Sequence, residues 1–276
     1  MTQNHNHNYF FSIQPFWDEL NPDSLITSPD GYISACPFHW DQDHLLCVPG
    51  NGQVGIMLQG PENFSGYCYG VLDSPDSLPL HGISDGCFVR FSPGSFSKIC
   101  NIPAKLIDPS GVPLENIFTR EQLSKIVDAM AAPVPSLALL QLFAGWSEQN
   151  DASPLREQEL VKQITQLIWS SHGSIRIRDL EKNTLYSGRY LQEVTGRNVG
   201  ISPKQMCRQV RFQNALRLLQ SVQDINLSSI AQALGYSDQA HFSKEFKAFS
   251  GLSPSLFHKE NCQKGDLAEL NERSPD

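Results

Sequence analysis

Residues 227–254 read LSSIAQALGYSDQAHFSKEFKAFSGLSP, and few structures accommodate that order. Leu227, Ile230, Ala231 and Leu234 fall at i, i+3, i+4 and i+7, one apolar face of a helix. Gly235 stands just past the last apolar residue, where a left-handed C-terminal cap suits glycine. Ser237 and Asp238 are both able to cap the helix that follows. That second helix repeats Phe242, Phe246 and Phe249 at i, i+4 and i+7, and its other face carries Gln239, Ser243 and Lys244. Two short helices meet across a tight turn, the second held by an apolar back with amides and a cation in front. Such a helix fits a DNA major groove.

The formal net charge of −8 argues against a DNA binder until the chain is divided. Residues 1–171 hold 7 Lys and Arg against 18 Asp and Glu, whereas residues 172–264 hold 13 against 7.

 In net terms the first stretch carries −11, and residues 172–264, with 13 basic against 7 acidic side chains, carry +6. The positive charge sits with the two-helix pattern, as phosphate contacts require. The acidic N-terminal part repels DNA and has another task.

Residues 1–118 are rich in Gly, Pro and aromatics. The segments HLLCV, QVGIML, GYCYGVL and GCFVRF read as strands between turns. Helices are predicted over 119–131, 136–148 and 154–170, the first two separated at Pro133 and Pro135. NDASP at 150–154 reads as a linker, helices dominate to about residue 260, and 265–276 is a polar tail. There is no run of about 18 apolar residues and no signal-peptide pattern, so the expectation is a cytoplasmic chain that avoids the membrane. Seven cysteines without a dense framework read as reduced thiols.

The stretch LGYSDQAHFSKEFKAFSGLSP resembles the second helix-turn-helix of the AraC family of bacterial transcription regulators. Ala231, Leu234, Gly235, Tyr236, Asp238, Gln239, His241, Phe242, Phe246, Lys247, Gly251 and Pro254 carry the resemblance. It implies a first unit at 175–203, where Ile177, Leu180, Ser187, Leu191, Gly200, Ser202, Pro203 and Lys204 match. That unit departs from the family pattern at three places. Glu181 stands where a small Ala packs, Leu185 replaces the turn Gly, and Glu193-Val194-Thr195 replaces a basic-x-Phe segment. Gly196 adds a helix penalty of about 1 kcal/mol relative to Ala.

The resemblance implies an α+β protein. Its N-terminal domain, 1–150, is expected to be mostly β and cupin-like with trailing helices. Its C-terminal domain, 154–264, is expected to be all-α, with the double helix-turn-helix at 175–203 and 227–254. The N-terminal part of the expectation rests on a similarity of 86–118 to a cupin-like regulatory domain of some family members, carried by Val89, Arg90, Phe91, Pro93, Gly94, Val112, Pro113, Leu114 and Glu115. The implied partner is double-stranded promoter DNA. The implied groove-facing residues are Arg189, Gln192 and Glu193 in the first unit and Gln239, Ala240, Ser243 and Lys244 in the second. Arg suits guanine, Gln adenine, Glu the cytosine amine, and Ala the thymine methyl. A small-molecule effector and a homodimer through the helices at 119–148 are also expected, with no cofactor and no metal. Alternatively, the first unit binds mainly backbone or serves for packing.

Two other chemistries compete. Cys36, His39, His44 and Cys47 are zinc-ligand types at ligand-like spacing, and would make a metal- or redox-responsive regulator. Against this, residues three apart on a strand face opposite ways. An enzyme with an attached DNA-binding domain requires a nucleotide loop or GxSxG opening a helix, HExxH, or a four-cysteine site; the GxGxxG spacing at Gly50, Gly52 and Gly55 and the GxSxG spacing at Gly82, Ser84 and Gly86 each run into an expected strand, and the other two patterns are absent. The expectation is therefore a chain that is not an enzyme. Cys68 and Cys100 read as core residues, and Phe38, Trp40, Tyr67 and Tyr69 as core or pocket lining. Arg90, in an apolar strand, needs either a structural carboxylate or an anionic ligand. Arg208, Arg211 and Arg217 read as structural or solvated, and His241 has no catalytic role.

Overall fold

Alternation with a period of two organises the N-terminal half. In the computed structural model, which describes residues 25–40, 44–48, 53–60, 64–71, 76–80, 84–149, 155–221 and 226–259, it builds two antiparallel sheets. The strands are β1 (Ile26–Thr27), β2 (Ile33–Trp40), β3 (His44–Val48), β4 (Val54–Gln59), β5 (Ser65–Tyr69), β6 (Asp76–Leu80), β7 (Ser84–Phe91) and β8 (Val112–Pro113). Six form one sheet in the order β1-β2-β7-β4-β5-β8, and β3 pairs with β6 in a second. On one face of the larger sheet lie Ile33, Ala35, Ile56, Leu58, Cys87, Val89 and Phe91, all buried in the main core. The intervening residues Cys36, Phe38, Met57 and Phe88 are buried outside that core, as alternation requires.

Strand β2 is absent from the sequence expectation. Pro37 interrupts its hydrogen-bonding capacity, and both of its faces are buried, so no alternation of polar and apolar residues marks it. The structure accommodates Pro37 because β1 pairs only with Ser34 and Ala35. Beyond them β2 is an edge on that side, where proline is tolerated.

Helices α1 (Ser95–Cys100), α2 (Arg120–Met130) and α3 (Pro135–Gln149) cover the core face of the sheet. Phe143 is the hub of the aromatic packing, with ring centroids 5.2 Å from Phe91 and 5.1 Å from Trp146, both edge-on. Thr119 and Gln122 form a capping box that starts α2. Pro135 opens α3 at the first-turn position it tolerates.

The remaining helices are α4 (Leu155–Ser170), α5 (Ile177–Thr184), α6 (Gly188–Val199), α7 (Pro203–Ser221), α8 (Leu227–Ala233) and α9 (Gln239–Ser250). The core does not stop at residue 150. It continues from the sheet through Leu160, Val161 and Ile164 of α4, Val194 and Val199 of α6, and Met206 and Val210 of α7. A second core begins at Phe212 on the same helix and joins α7 to α8 and α9. Thus α7 belongs to both. The expected linker at 150–154 and the tail at 265–276 lie outside the described residues. Among the described residues, no helix is long and apolar enough to cross a membrane.

Candidate nucleic-acid interface

The second helix-turn-helix is built as its pattern dictates. Asn226 caps α8, its Oδ1 accepting the Ser229 N–H at 3.0 Å. Gly235 takes a φ of 73°, the left-handed conformation the turn requires. Of the two capping candidates, Asp238 serves, its Oδ1 accepting the His241 N–H at 2.7 Å. This backbone hydrogen bond, with the Ser237 hydroxyl, holds the Asp238 carboxyl below its usual range. Phe242, Phe246 and Phe249 are buried against Phe212 of α7 and Phe257. Gln239, Ala240 and Lys244 are left exposed and Ser243 half-buried on the opposite side.

Arginines of α7 hold this unit in place. Arg208 donates to both oxygens of Glu245, Nε to Oε2 at 2.7 Å and a terminal nitrogen to Oε1 at 3.0 Å, while its guanidinium lies 5.1 Å from the Phe249 ring centroid. Burial alone would raise the Glu245 carboxyl. The hydrogen bonds and charge of Arg208, with His241 and Arg211, more than offset this and leave it lowered. Arg211 lies over the ring of Tyr236, and Arg217 over that of Trp169. Burial pushes the Tyr236 phenol up to about 12, although Arg211 opposes the shift. The structural reading of these arginines describes their placement better than a solvated face does.

In the first unit, the departures from the family pattern acquire physical reasons. Glu181 extends across the turn, and its Oε1 accepts the N–H of Gly188 at 2.6 Å. A carboxylate at this end complements the orphan donors and the positive end of the α6 dipole. Ser187 caps the same helix, accepting the Tyr190 N–H at 3.3 Å. Leu185 adopts the left-handed φ of 61° that glycine would occupy, and its side chain is almost fully exposed. Thr195 is buried and returns its hydroxyl to the Leu191 carbonyl at 2.9 Å. Gly196 has open space where a side chain would stand. Arg189, Gln192 and Glu193 are exposed together along α6.

The back of α6 is fastened both to the N-terminal half and to α4. Ser97 of α1 donates its hydroxyl to the Asn198 carbonyl at 3.0 Å and accepts the Ala104 N–H at 2.8 Å, all buried. Arg197 pairs with Glu157 of α4 at 2.6 Å. Sequence reasoning missed both contacts, because each joins segments far apart in the chain.

The cysteine–histidine cluster divides as strand geometry requires. Cys36 is buried, whereas His39 is exposed, its Nδ1 2.6 Å from Asp85 Oδ1. The side chains of His44 and Cys47 lie outside the described residues. Burial pushes the Cys36 thiol up to about 11, Cys87 to about 12 and Cys207 to about 11, and raises Cys68 and Cys100 as well. These thiols lack the exposed thiolate character of a redox sensor.

Residues 180–260 match a family described as a helix-turn-helix domain. The Msm operon regulatory protein of Streptococcus mutans is 28% identical over 168 residues, 60% of this chain and 57% of that protein. The raffinose operon transcriptional regulatory protein RafR of Pediococcus pentosaceus is 35% identical over 83 residues, 30% of each chain. The solved C-terminal domain of AraT, a response regulator from Geobacillus stearothermophilus, is 26% identical with a TM-score of 0.35, covering 37% of this chain and 84% of that one. The chain spans little more than half the length of the first of these relatives.

Proposed function

We propose that this chain is a sequence-specific transcription regulator of the AraC type that binds promoter DNA through both helix-turn-helix units and takes its signal through the N-terminal half. The observation that carries the reading is the pairing of α6 and α9. Each is 12 residues long, capped by Ser187 or Asp238, apolar behind and polar in front. Arg189, Gln192, Glu193, Gln239, Ala240, Ser243 and Lys244 are the residues assigned to DNA. In this reading the two helices enter successive major grooves on one face of the duplex, about 34 Å apart.

The helices α2 and α3 supply the homodimer contact. Val134 and Leu137 leave apolar surface exposed there, 50% and 44% accessible, which supports that role. A cavity of about 390 Å3 at the junction of the sheet and α4 is large enough for a small-molecule effector.

Selection of genomic fragments by the full-length protein tests the function. The expected result is enrichment of a shared sequence, bound with an affinity that falls steeply with salt. Failure to enrich any sequence, or a flat salt response, refutes it.

A further inference from the structure

The first turn of α4 lies along one flank of the first recognition helix. At one end of that flank, Arg156 of α4 donates its Nε–H to the Tyr186 hydroxyl at 2.6 Å. At the other end, Glu157 of α4 pairs with Arg197 of α6 at 2.6 Å. Tyr190 stands between them, its ring centroid 5.0 Å from that of Tyr186. Residues three and four apart on a helix are neighbours, so Tyr190 adjoins Glu193, and across the cap Tyr186 adjoins Arg189. The flank therefore borders the stripe of α6 assigned to bases.

Arg156 is held in place without being neutralised. It is exposed, and among the described residues it has no carboxylate within ion-pair distance. The Tyr186 hydroxyl takes its Nε–H, and the guanidinium lies 5.5 Å from the ring centroid of that tyrosine. The terminal nitrogens are left to a partner from outside. Tyr186 accepts from Arg156, so its own O–H is available to donate. Of the acids nearby, Glu157 is committed to Arg197, with the Asn198 amide as a second donor at 3.5 Å. Glu159 is exposed one turn along α4 and is balanced by Lys162; both open on a hollow of about 530 Å3 that Arg156 and Tyr186 also line. A guanidinium fixed in this way suits an oxyanion.

We infer that Arg156 and the Tyr186 hydroxyl grip a backbone phosphate of the DNA strand beside the first recognition helix, so that the DNA interface extends beyond the two helix-turn-helix units onto α4. The inference rests on the reading that α6 docks in a major groove. The occupant follows from dimensions. The groove is about 12 Å wide and an α-helix with its side chains is about 10–12 Å across, so a docked helix meets the sugar-phosphate backbone along its flanks. Arg and Tyr are both donors to phosphate oxygens, and such contacts fix register rather than sequence. The contact also compensates a departure in α6. Glu193 stands where the family pattern has a basic segment and adds no attraction for phosphate, and Arg156 supplies that attraction from α4.

The test is fluorescence anisotropy of the full-length protein on a selected site and on random-sequence DNA, over a range of salt. Arg156→Gln should weaken both by a similar factor, about three- to tenfold, and reduce the slope of log affinity against log salt by about 1, with Tm unchanged. Tyr186→Phe should weaken both by less and leave the slope unchanged, because no charge is lost. Methylphosphonates placed one at a time through the selected site locate the contact. For the unsubstituted protein, one neutralised phosphate beside the groove read by α6 should cost the same factor as Arg156→Gln. That same phosphate should cost the Arg156→Gln protein nothing further. An unchanged slope with Arg156→Gln, a fall in Tm in place of a fall in affinity, or undiminished sensitivity of that variant to every methylphosphonate overturns the inference and leaves Arg156 as a prop for Tyr186. A loss on the selected site alone overturns it too, since a phosphate contact is blind to sequence. Those outcomes leave the regulator reading standing, whereas failure of the unsubstituted protein to bind any DNA refutes both.

Discussion

Replacing Leu185 by glycine should stabilise this protein. Leu185 ends α5 with a φ of 61°, and its N–H donates to the Glu181 carbonyl at 2.9 Å. A residue with a Cβ in this left-handed region carries roughly 1–2 kcal/mol of steric cost. Leucine normally recovers such a cost by burial, but Leu185 is 89% exposed and recovers almost nothing. Glycine removes the steric cost and loses roughly 0.5–1 kcal/mol in additional chain entropy. The net gain is about 0.5–1 kcal/mol, which for a chain of this size raises Tm by roughly 1–4 °C. Leu185→Ala retains the Cβ, and so should change stability by less than about 0.5 kcal/mol. Circular dichroism melting and urea unfolding of the three proteins measure the differences. If the glycine variant is less stable, or the alanine variant gains as much, the strain argument fails.

Other substitutions test the interface. Lys244→Ala should leave Tm unchanged and reduce the slope of log affinity against log salt by about 1, as measured by fluorescence anisotropy on a selected site. An unchanged affinity removes Lys244 from the interface. Glu193→Arg should raise non-specific DNA affinity and steepen the same slope; no change means that α6 does not face the duplex. Because the folded-state pKa of Glu245 is lowered, its stabilisation is complete above the unfolded carboxylate pKa and disappears as pH falls through the folded value. Glu245→Gln should cost about 2 kcal/mol at neutral pH and flatten the acid limb of the stability curve. An acid limb identical to that of the unsubstituted protein contradicts the role of the Arg208 pair.

The parts legible in the sequence are those set by local chemistry. The apolar spacing of 227–254, the glycine at 235 and the cap at Asp238 each act within a few residues, and a linear reading reaches them. The departures at Glu181 and Leu185 were visible as departures, but not their consequences. Glu181 meets Gly188 only after the turn has folded. Strand β2 was hidden because burial on both faces erases alternation. The seam between the two halves is least legible: Ser97 and Asn198 are about a hundred residues apart, and the cavity draws on several strands and helices. Arg90 signalled it weakly, as a cation inside an apolar strand that called for an acceptor.

Footprinting of the full-length protein on a selected fragment is the most direct measurement of the central claim. The account predicts protection over about two helical turns per monomer, on one face of the duplex. Within it, substitutions at Arg189 and Gln192 should alter one groove, and those at Gln239 and Lys244 the next. Protection confined to a single groove, unaffected by any change in α6, would contradict the claim that both units bind DNA.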